Sequence, residues 1–320
     1  CTSQSGTYQG NNSSCSPNPC PPPTGACCLP NQTCVVLEPA DCTTQGGTYQ
    51  GHGTNCSPSP CIATTTVNLS ALQDNTIYEN ATGTSNGAGQ FIVTGTTGSI
   101  LTELLSRNGL IKFDLSSIPS NATVVSATLT LRLLETNDSA ARGVSIYRVT
   151  QAWGEGASDA TGTEYTGATS QISDANWTVR LFPFTAWSTP GGSFATPAST
   201  TTTVGTTLNT FHDFTGPQVA ANVQQWIQNP SQNHGWIILS SNALGGNALR
   251  GFGSRNNPTR GNQPVLEVQY QVIPATGACC FPDGSCQINT QAACTAAGGF
   301  YNGDNTLCPP APSPHHHPHY

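Results

Sequence analysis

Cysteine is the residue type whose number and spacing point most directly to chemistry in this chain. The chain has 320 residues and 14 cysteines. The cysteines lie in residues 1–61 and 274–320, and residues 62–273 contain none. At this density cysteines form disulfides in an oxidising compartment, whereas zinc sites use spaced CxxC pairs. The adjacent cysteines at 27–28 and 279–280 lack that spacing, so structural disulfides are expected rather than a metal or redox site.

One cysteine pattern occurs three times, once in complete form. The complete copy contains six cysteines: Cys27, Cys28, Cys34, Cys42, Cys56 and Cys61. The C-terminal copy has the first five of these positions: Cys279, Cys280, Cys286, Cys294 and Cys308. The N-terminal copy has only the last three: Cys1, Cys15 and Cys20. Because each half of the complete copy holds three cysteines, at least one bridge must join the halves if all six pair.

The simplest pairing scheme makes one bridge within each half of the complete copy and one between the halves. It pairs Cys42 with Cys56, one of Cys27 and Cys28 with Cys34, and the other with Cys61. In the incomplete copies it pairs Cys1 with Cys15, Cys294 with Cys308, and one of Cys279 and Cys280 with Cys286. Two cysteines are then left over: Cys20 and the second of Cys279 and Cys280.

The two leftover cysteines predict self-assembly. Cys20 of one copy would bridge Cys279 or Cys280 of the next, so that the N-terminal half-module completes the C-terminal module. Such a contact is heterologous, and it builds an open head-to-tail filament unless the rotation closes. A small module depends on its disulfides, commonly worth ~2–4 kcal/mol each, so a half-module has reason to bind its complement.

Other interpretations of the ends stay open. The chain could be a fragment of a longer array of modules, or Cys20 could pair with the C-terminal module of its own chain. A lipid on Cys1 is a further alternative. No leader sequence precedes Cys1, which predicts a processed N terminus.

The cysteine-free region is predicted to be β-structure. Apolar and polar residues alternate, with turn residues between, in five segments: 109–115, 122–134, 143–153, 234–241 and 263–272. One segment, 216–230, instead places Val219, Val223, Trp226 and Ile227 at helical spacing. This pattern predicts an all-β, jelly-roll-like β-sandwich with one short helix, flanked by small disulfide-rich modules.

Four ordered segments within residues 64–272 resemble the DNRLRE-type domain. They begin with "RNGLIKFDLSSIPS", "VSIYRVTQAWGEG", "VAANVQQWIQNPS" and "FGSRNNPTRGNQP". That domain occurs in bacterial secreted and cell-surface proteins, and some of its relatives are carbohydrate-binding modules. The resemblance therefore implies a β-sandwich outside the cell, but not an activity, since one fold serves many functions. The flanking "GACC" modules resemble short cysteine-rich repeats of bacterial surface proteins.

No group of residues is typical of an enzyme. His212 and Asp213 are neighbours on a predicted strand, where adjacent side chains point to opposite faces, so both are interpreted as structural. Glu135 and Asp138 fall in a predicted hairpin loop. A carboxylate pair can cleave glycosides, but loop acids more often serve solubility. No zinc helix motif, phosphate loop or nucleophile elbow is present.

Metal binding is at most a weak prediction. The tail contains four imidazoles that suit copper, nickel or zinc: His315, His316, His317 and His319. Packing of this tail against a neighbouring subunit is the favoured interpretation. Structural calcium near Asp114, Glu135 or Asp138 fits such folds but has no loop signature, so no cofactor is predicted.

Carbohydrate binding requires exposed aromatic rings that stack on sugars. Trp226 and Trp236 sit in apolar patterns that predict core positions. Trp153 and Trp177 are the better candidates for a stacking platform on loops, although a core position is the first expectation for each. Eight Asn-X-Ser/Thr sequons are compatible with glycan attachment, although a chain rich in Thr and Asn also produces sequons by chance: Asn11, Asn12, Asn31, Asn68, Asn80, Asn121, Asn137 and Asn176.

Composition limits the partners. A net charge of −7 excludes a basic nucleic-acid interface, and no apolar run is long enough to span a membrane. The predicted divisions are a half-module (1–20), a six-cysteine module (21–61), the sandwich (62–273), a five-cysteine module (274–308) and a tail (309–320). The sequence thus predicts an extracellular or cell-surface structural protein that assembles with copies of itself. The alternative is a secreted module that binds polysaccharide.

Overall fold

The protein is represented by a computed structural model that describes residues 23–30, 32–57, 59–97, 105–162, 164–241 and 247–308. The described residues belong to two compact units. One is Thr64–Val272, and the other draws on Cys1–Ala63 and Ile273–Tyr320. Strands dominate the first unit and disulfides the second, so the predicted all-β sandwich with disulfide-rich modules is confirmed.

The six-cysteine module is a three-stranded sheet with one short helix. Its elements are β1 (Gly25–Cys28), β2 (Cys34–Leu37), α1 (Pro39–Thr44) and β3 (Thr48–Tyr49), with β1 between β2 and β3. Pro39 at the first helical position starts α1, since its fixed φ suits a helix and its missing N–H costs nothing there. The helix places Cys42 over β1, where Cys27 and Cys42 are both fully buried.

The disulfides of this module differ from the predicted scheme. They are Cys27–Cys42, Cys28–Cys61 and Cys34–Cys56. The predicted pairing of Cys42 with Cys56 is therefore wrong, and so is the predicted bridge from Cys34 to an adjacent cysteine. Every bridge joins the first half of the module to the second, because α1 and the segment after β3 fold back over the β1–β2 hairpin.

The sandwich unit contains strands β4 to β17 and helix α2. In chain order they are β4 (Thr64–Tyr78), β5 (Thr84–Ser85), β6 (Phe91–Thr97), β7 (Leu105–Phe113), β8 (Ala122–Thr136), β9 (Arg142–Arg148), β10 (Ala168–Thr169), β11 (Val179–Leu181), β12 (Thr185–Ala186), β13 (Thr200–Val204), β14 (Thr210–Thr215), α2 (Pro217–Gln228), β15 (Trp236–Ser240), β16 (Arg250–Gly253) and β17 (Val265–Val272). Pairing is antiparallel throughout. The five predicted strands correspond to β7, β8, β9, β15 and β17.

Two strands belong to both sheets of the sandwich. In β4, the part up to Ser70 pairs with β17 and the part from Ala71 pairs with β7. In β6, the part up to Thr94 pairs with β16 and the part from Gly95 pairs with β7. Gly95 has φ of +103° at this change of sheet, and a Cβ there would lie 2.0 Å from the Ala248 carbonyl oxygen. Only glycine allows β6 to bend at this point.

The first sheet consists of β14, β8, β17, β16 and the N-terminal parts of β4 and β6. The second sheet consists of β5, β10, β7, β15, β9, β13 and the C-terminal parts of β4 and β6. The main core lies between them. Leu129, Leu131 and Leu133 alternate along β8 and are fully buried against residues such as Ile146 and Trp236. This is the period-2 pattern of a strand with one face in a core.

Helix α2 confirms the predicted helix. Its buried face consists of four apolar residues and one polar residue, Asn222. The apolar residues are Val219, Val223, Trp226 and Ile227. The indole rings of Trp226 and Trp236 meet edge-to-face with centroids 4.6 Å apart. The predicted core positions of both tryptophans are therefore confirmed.

The five-cysteine module repeats the architecture of the six-cysteine module. Its elements are β18 (Thr276–Cys280), β19 (Cys286–Thr290), α3 (Gln291–Ala296) and β20 (Phe300–Tyr301), with β18 central. Its disulfides are Cys279–Cys294 and Cys286–Cys308, and Cys280 is a free cysteine. The predicted pairing of Cys294 with Cys308 is wrong, as is that of Cys286 with an adjacent cysteine.

Candidate functional site

The second sheet of the sandwich is covered on both faces. On β15, Trp236 and Ile238 face the main core, whereas Ile237 faces a second cluster with Leu110 and Val149. This second cluster is closed by loop residues from 149–198, among them Trp187 and Phe194. A strand buried on both faces has no polar alternation, which explains the apolar run Trp236-Ile237-Ile238-Leu239.

A concave site lies where this covering layer meets the ends of the strands. We call it the Trp177 pocket; its volume is about 360 Å³. The sheet contributes Gly95, Ser106, Arg107, Asn108, Leu239 and Ser240. The covering segment contributes Trp177, Thr189, Pro190, Gly191, Gly192 and Phe194. The volume falls within the ~300–1,000 Å³ range of small-ligand sites.

Two aromatic rings line the Trp177 pocket. Trp177 is half-buried, and its indole nitrogen makes no hydrogen bond within the described residues. Its ring lies against the backbone of Gly191, whose amide donates to the Trp177 carbonyl over 2.7 Å. Phe194 is also half-buried and packs on Tyr147 with ring centroids 4.9 Å apart. The pocket thus holds an accessible aromatic surface fixed from behind, as sugar stacking requires.

Polar groups stand beside these rings. The Asn108 amide donates from Nδ2 to the Gly191 carbonyl over 2.8 Å, which ties the covering loop to β7. Its Oδ1 accepts no hydrogen bond among the described residues and is the unpaired acceptor at this site, whereas the Ser240 hydroxyl is buried. Sugar hydroxyls donate and accept at once, so unpaired polar atoms of this kind suit them.

Arg107 is the charged residue among those lining the pocket. Its side chain is buried and donates to the carbonyls of Tyr165 and Leu105 over 2.9 and 2.6 Å. Burial lowers the pKa of the guanidinium, and the nearby Tyr78 ring partly offsets this effect. The Arg107 guanidinium is therefore occupied by these two carbonyls and is not free for a ligand.

The other predicted stacking residue does not take part. Trp153 is 5 % exposed, and its indole nitrogen donates to the His234 carbonyl over 2.8 Å. Its ring belongs to the second cluster, so Trp153 takes the core position that was its first expectation and not the alternative of a stacking platform. The covering layer, which no local pattern in the sequence reveals, is the reason.

The predicted carboxylates have separate structural partners. Glu135 accepts a short hydrogen bond from the Tyr165 hydroxyl, at the edge of a pocket of about 260 Å³. Asp138 accepts from Arg142 over 2.6 Å and lies 3.5 Å from Arg250, and Arg142 above all holds the pKa of Asp138 below its usual value. A general acid needs a raised pKa instead. Glu135 and Asp138 thus lack the arrangement of a glycosidase pair.

The remaining candidates are placed as follows. His212 contacts the Thr210 hydroxyl over 3.0 Å, and burial lowers its pKa, whereas Asp213 accepts from Thr130 over 2.7 Å. Asp114 accepts from the Ser116 amide. Among the described residues, no three histidine, cysteine or acidic side chains come together to hold a metal ion. The four tail histidines lie outside the described residues.

The asparagines of the sequons differ in their exposure to solvent. Asn176 is 2 % exposed and donates from Nδ2 to the Ser170 hydroxyl, so the prediction of a glycan on it is wrong for the folded protein. Four others are exposed, and glycans on them remain a prediction: Asn68, Asn80, Asn121 and Asn137. Asn11, Asn12 and Asn31 lie outside the described residues.

Residues 65–161 match the model of carbohydrate-binding module family 96. The matched range includes four residues of the Trp177 pocket, Gly95 and Ser106 to Asn108, but not Trp177 or Phe194. No curated protein matches the chain. The match supports a domain like a carbohydrate-binding module, and such modules bind rather than catalyse.

The described helices include none that is both long and apolar enough to cross a membrane.

Sequence reasoning identified Trp177 but missed Asn108, Gly191 and Ser240. These residues come from three distant parts of the chain, and no local spacing connects them. The adjacent Gly191-Gly192 pair was the one available signal of a close backbone approach.

Proposed function

We propose that the sandwich unit is a non-catalytic module that binds a polysaccharide outside the cell, through the Trp177 pocket. The observation that carries this proposal is the combination of the half-buried Trp177 indole with the unpaired Asn108 amide oxygen in one concave site. The indole would stack on the apolar face of a sugar ring. Asn108 Oδ1 would accept a hydrogen bond from one of its hydroxyl groups.

The family match supports the same interpretation independently. The disulfides of the flanking modules fit an oxidising compartment, where polysaccharides of cell surfaces and secreted matrices are found. A larger cavity of about 470 Å³ beside α2 is the less suitable site. Its tryptophan, Trp226, is 2 % exposed and offers no ring face to a ligand.

The test is affinity electrophoresis of the full chain against a panel of neutral and acidic polysaccharides, followed by titration calorimetry with oligosaccharides. We expect at least one polysaccharide to bind. Trp177→Ala should weaken binding about fivefold, since loss of a stacked face costs on the order of 1 kcal/mol. Trp177→Phe should retain part of the affinity.

Phe184→Ala is the matched control, because Phe184 is 92 % exposed and lies outside the pocket. Unchanged melting temperatures would show that each variant folds. Absence of binding across the panel, or equal binding by wild type and Trp177→Ala, would contradict the proposal. Head-to-tail assembly, which the sequence favours over polysaccharide binding, stays a prediction, and the family match supports the alternative instead.

A further inference from the structure

Positive charge is scarce around the Trp177 pocket. The chain contains 9 lysines and arginines, and all of them belong to the described residues. One of them, Arg107, lines the pocket. The others lie elsewhere: Lys112, Arg132, Arg142, Arg148, Arg180, Arg250, Arg255 and Arg260. No histidine of the described residues lines the pocket either. Arg107 is therefore the cation that an anionic ligand would have to reach.

Arg107 is already engaged by the protein. The residue is 2 % exposed, and its Nε and Nη1 donate to the carbonyls of Tyr165 and Leu105 over 2.9 and 2.6 Å. The centroid of the Tyr78 ring lies 5.8 Å from its Cζ. A carboxylate or sulfate on a sugar would have to break these contacts before it paired with the guanidinium. Each broken hydrogen bond would leave a carbonyl without its donor, which makes this exchange unfavourable.

A carboxylate of the protein lies beside the same wall of the pocket. The amide of Ser106, which lines the pocket, donates to Oε2 of Glu79 over 2.9 Å. Glu79 is half-buried, and its charge interacts with that of Arg107. The negative charge of Glu79 thus offsets the positive charge of Arg107, and the whole chain carries a net charge of −7. An anionic sugar would meet no excess of positive charge here.

The neutral groups of the pocket suit a hydroxyl better than an anion. Asn108 donates from Nδ2 to the Gly191 carbonyl over 2.8 Å, and because a carbonyl cannot donate, this bond fixes which way the amide points. The atom left for a ligand is Oδ1, an acceptor. Carboxylate and sulfate oxygens accept only, so Oδ1 would repel them, whereas a sugar hydroxyl can donate to it. The Trp177 ring requires only the apolar face of a sugar.

We infer that the Trp177 pocket selects neutral polysaccharides, whose rings carry hydroxyl groups but no carboxylate or sulfate. This inference rests on the proposed function, since it names the class of ligand for the same pocket. Three side chains carry it: the engaged Arg107, the carboxylate of Glu79 and the acceptor oxygen of Asn108.

The test compares one polymer in an uncharged and a charged form. The full chain is first run by affinity electrophoresis through gels that contain glucomannan, galactomannan or mixed-linkage β-glucan. The polymer that retards the chain most is then oxidised at its primary hydroxyls to carboxylates. We expect binding to the neutral polymer and an affinity about tenfold lower or less after oxidation. Methyl esterification of the new carboxylates removes their charge, so it should restore most of the affinity.

A lysine introduced at the pocket should reverse the discrimination. Thr189 is exposed and lines the pocket, so Thr189→Lys supplies an ammonium that no carbonyl of the protein occupies. This variant should bind the oxidised polymer more tightly than the wild type does. Thr203→Lys is the matched control, because it adds the same charge at an exposed residue of β13 outside the pocket. It should bind the oxidised polymer as weakly as the wild type.

The outcomes separate this inference from the proposed function. Equal affinity for the neutral and the oxidised polymer would overturn the inference. So would binding to acidic polymers such as polygalacturonate and to none of the neutral ones. In both cases the proposed function would stand if Trp177→Ala weakened the binding observed. A chain that bound no polymer, neutral or acidic, would overturn both.

Discussion

The indole of Trp177 lies so close to Gly191 that no side chain fits between them. A Cβ built at Gly191 would be 2.8 Å from Cζ2 of Trp177, and Gly191 has φ of +87°. Both facts require glycine, because L-residues rarely adopt this φ and a Cβ at that distance would displace the ring. The close approach fixes the orientation of the ring in the pocket.

We therefore expect Gly191→Ala to destabilise the sandwich unit by about 1–2 kcal/mol and to weaken polysaccharide binding about tenfold or more. Denaturant unfolding and affinity electrophoresis measure the two effects. Gly205→Ala is the matched control, since a Cβ at Gly205 meets nothing within 4 Å and its φ is not positive. Equal binding by Gly191→Ala and wild type would show that the ring orientation does not matter.

A second prediction concerns the buried cluster of Asp138, Arg142 and Arg250. The Arg250 side chain is fully buried, and Asp138 is its carboxylate partner at 3.5 Å. Asp138→Asn would leave a buried guanidinium without that charge, so we expect a loss of about 3 kcal/mol. Thermal unfolding should show a melting temperature lower by roughly 6–12 °C for a unit of this size. Asp159→Asn, at an exposed residue, should change little.

The same cluster predicts a dependence on acid. Hydrogen bonding from Arg142 holds the pKa of Asp138 below its usual value. The stabilisation is therefore complete above the unfolded-state pKa of about 3.9 and is lost as the pH falls through the folded-state pKa. Because an asparagine cannot ionise, the stability of Asp138→Asn should not show the decrease at low pH that protonation of Asp138 causes in the wild type. A variant whose acid transition matched that of wild type would contradict the assignment.

The sequence predicts best where a single element determines the pattern. The spacing of Val219, Val223, Trp226 and Ile227 identified α2, because one face of a helix packs on the core whatever lies elsewhere. The alternation of apolar and polar residues identified β8, because one face of this strand packs on the core. In contrast, β4 was missed because its second half buries polar residues, Asp74 and Asn75 among them, where the pattern expects apolar ones.

The disulfide pairing shows a different limit. Counting cysteines fixed that the halves must be joined at least once, but it could not say that all three bridges join them. That fact depends on how α1 positions Cys42 beside Cys27, which is a matter of tertiary packing. The Trp177 pocket was out of reach for a related reason, since its walls come from β7, β15 and the segment before β13. Two signals were present in the sequence: the residue type of Trp177 and the adjacent Gly191-Gly192 pair.

The last prediction concerns Asp74, which lies on β4, a strand shared by the two sheets, beside the Glu155–Arg255 pair. Asp74 is 1 % exposed; its Oδ2 accepts from the Arg255 amide over 2.6 Å, and its Oδ1 has no partner among the described residues. Glu155 bonds the Arg255 guanidinium over 2.5 and 2.9 Å, which leaves Asp74 without a cation of its own. Burial, opposed by the amide hydrogen bond, raises the pKa of Asp74 to about 8.

A raised pKa means that the folded state holds this proton more tightly than the unfolded chain does. The stabilisation is thus complete below the unfolded value of about 3.9 and is lost as the pH rises to about 8. We expect the free energy of unfolding to fall by on the order of 1 kcal/mol or more between pH 5 and pH 8. Asp74→Asn, which cannot ionise, should remove that slope.

Urea unfolding followed by tryptophan fluorescence measures this effect in the full chain, since all 5 tryptophans lie within the sandwich unit. Asp213→Asn, at an exposed carboxylate, should keep the wild-type slope. If Asp74→Asn kept it too, another group would be responsible for the pH dependence. If the wild type instead became more stable from pH 5 to pH 8, Asp74 would be ionised in the folded state, and its orphaned Oδ1 would need a bound cation to explain it.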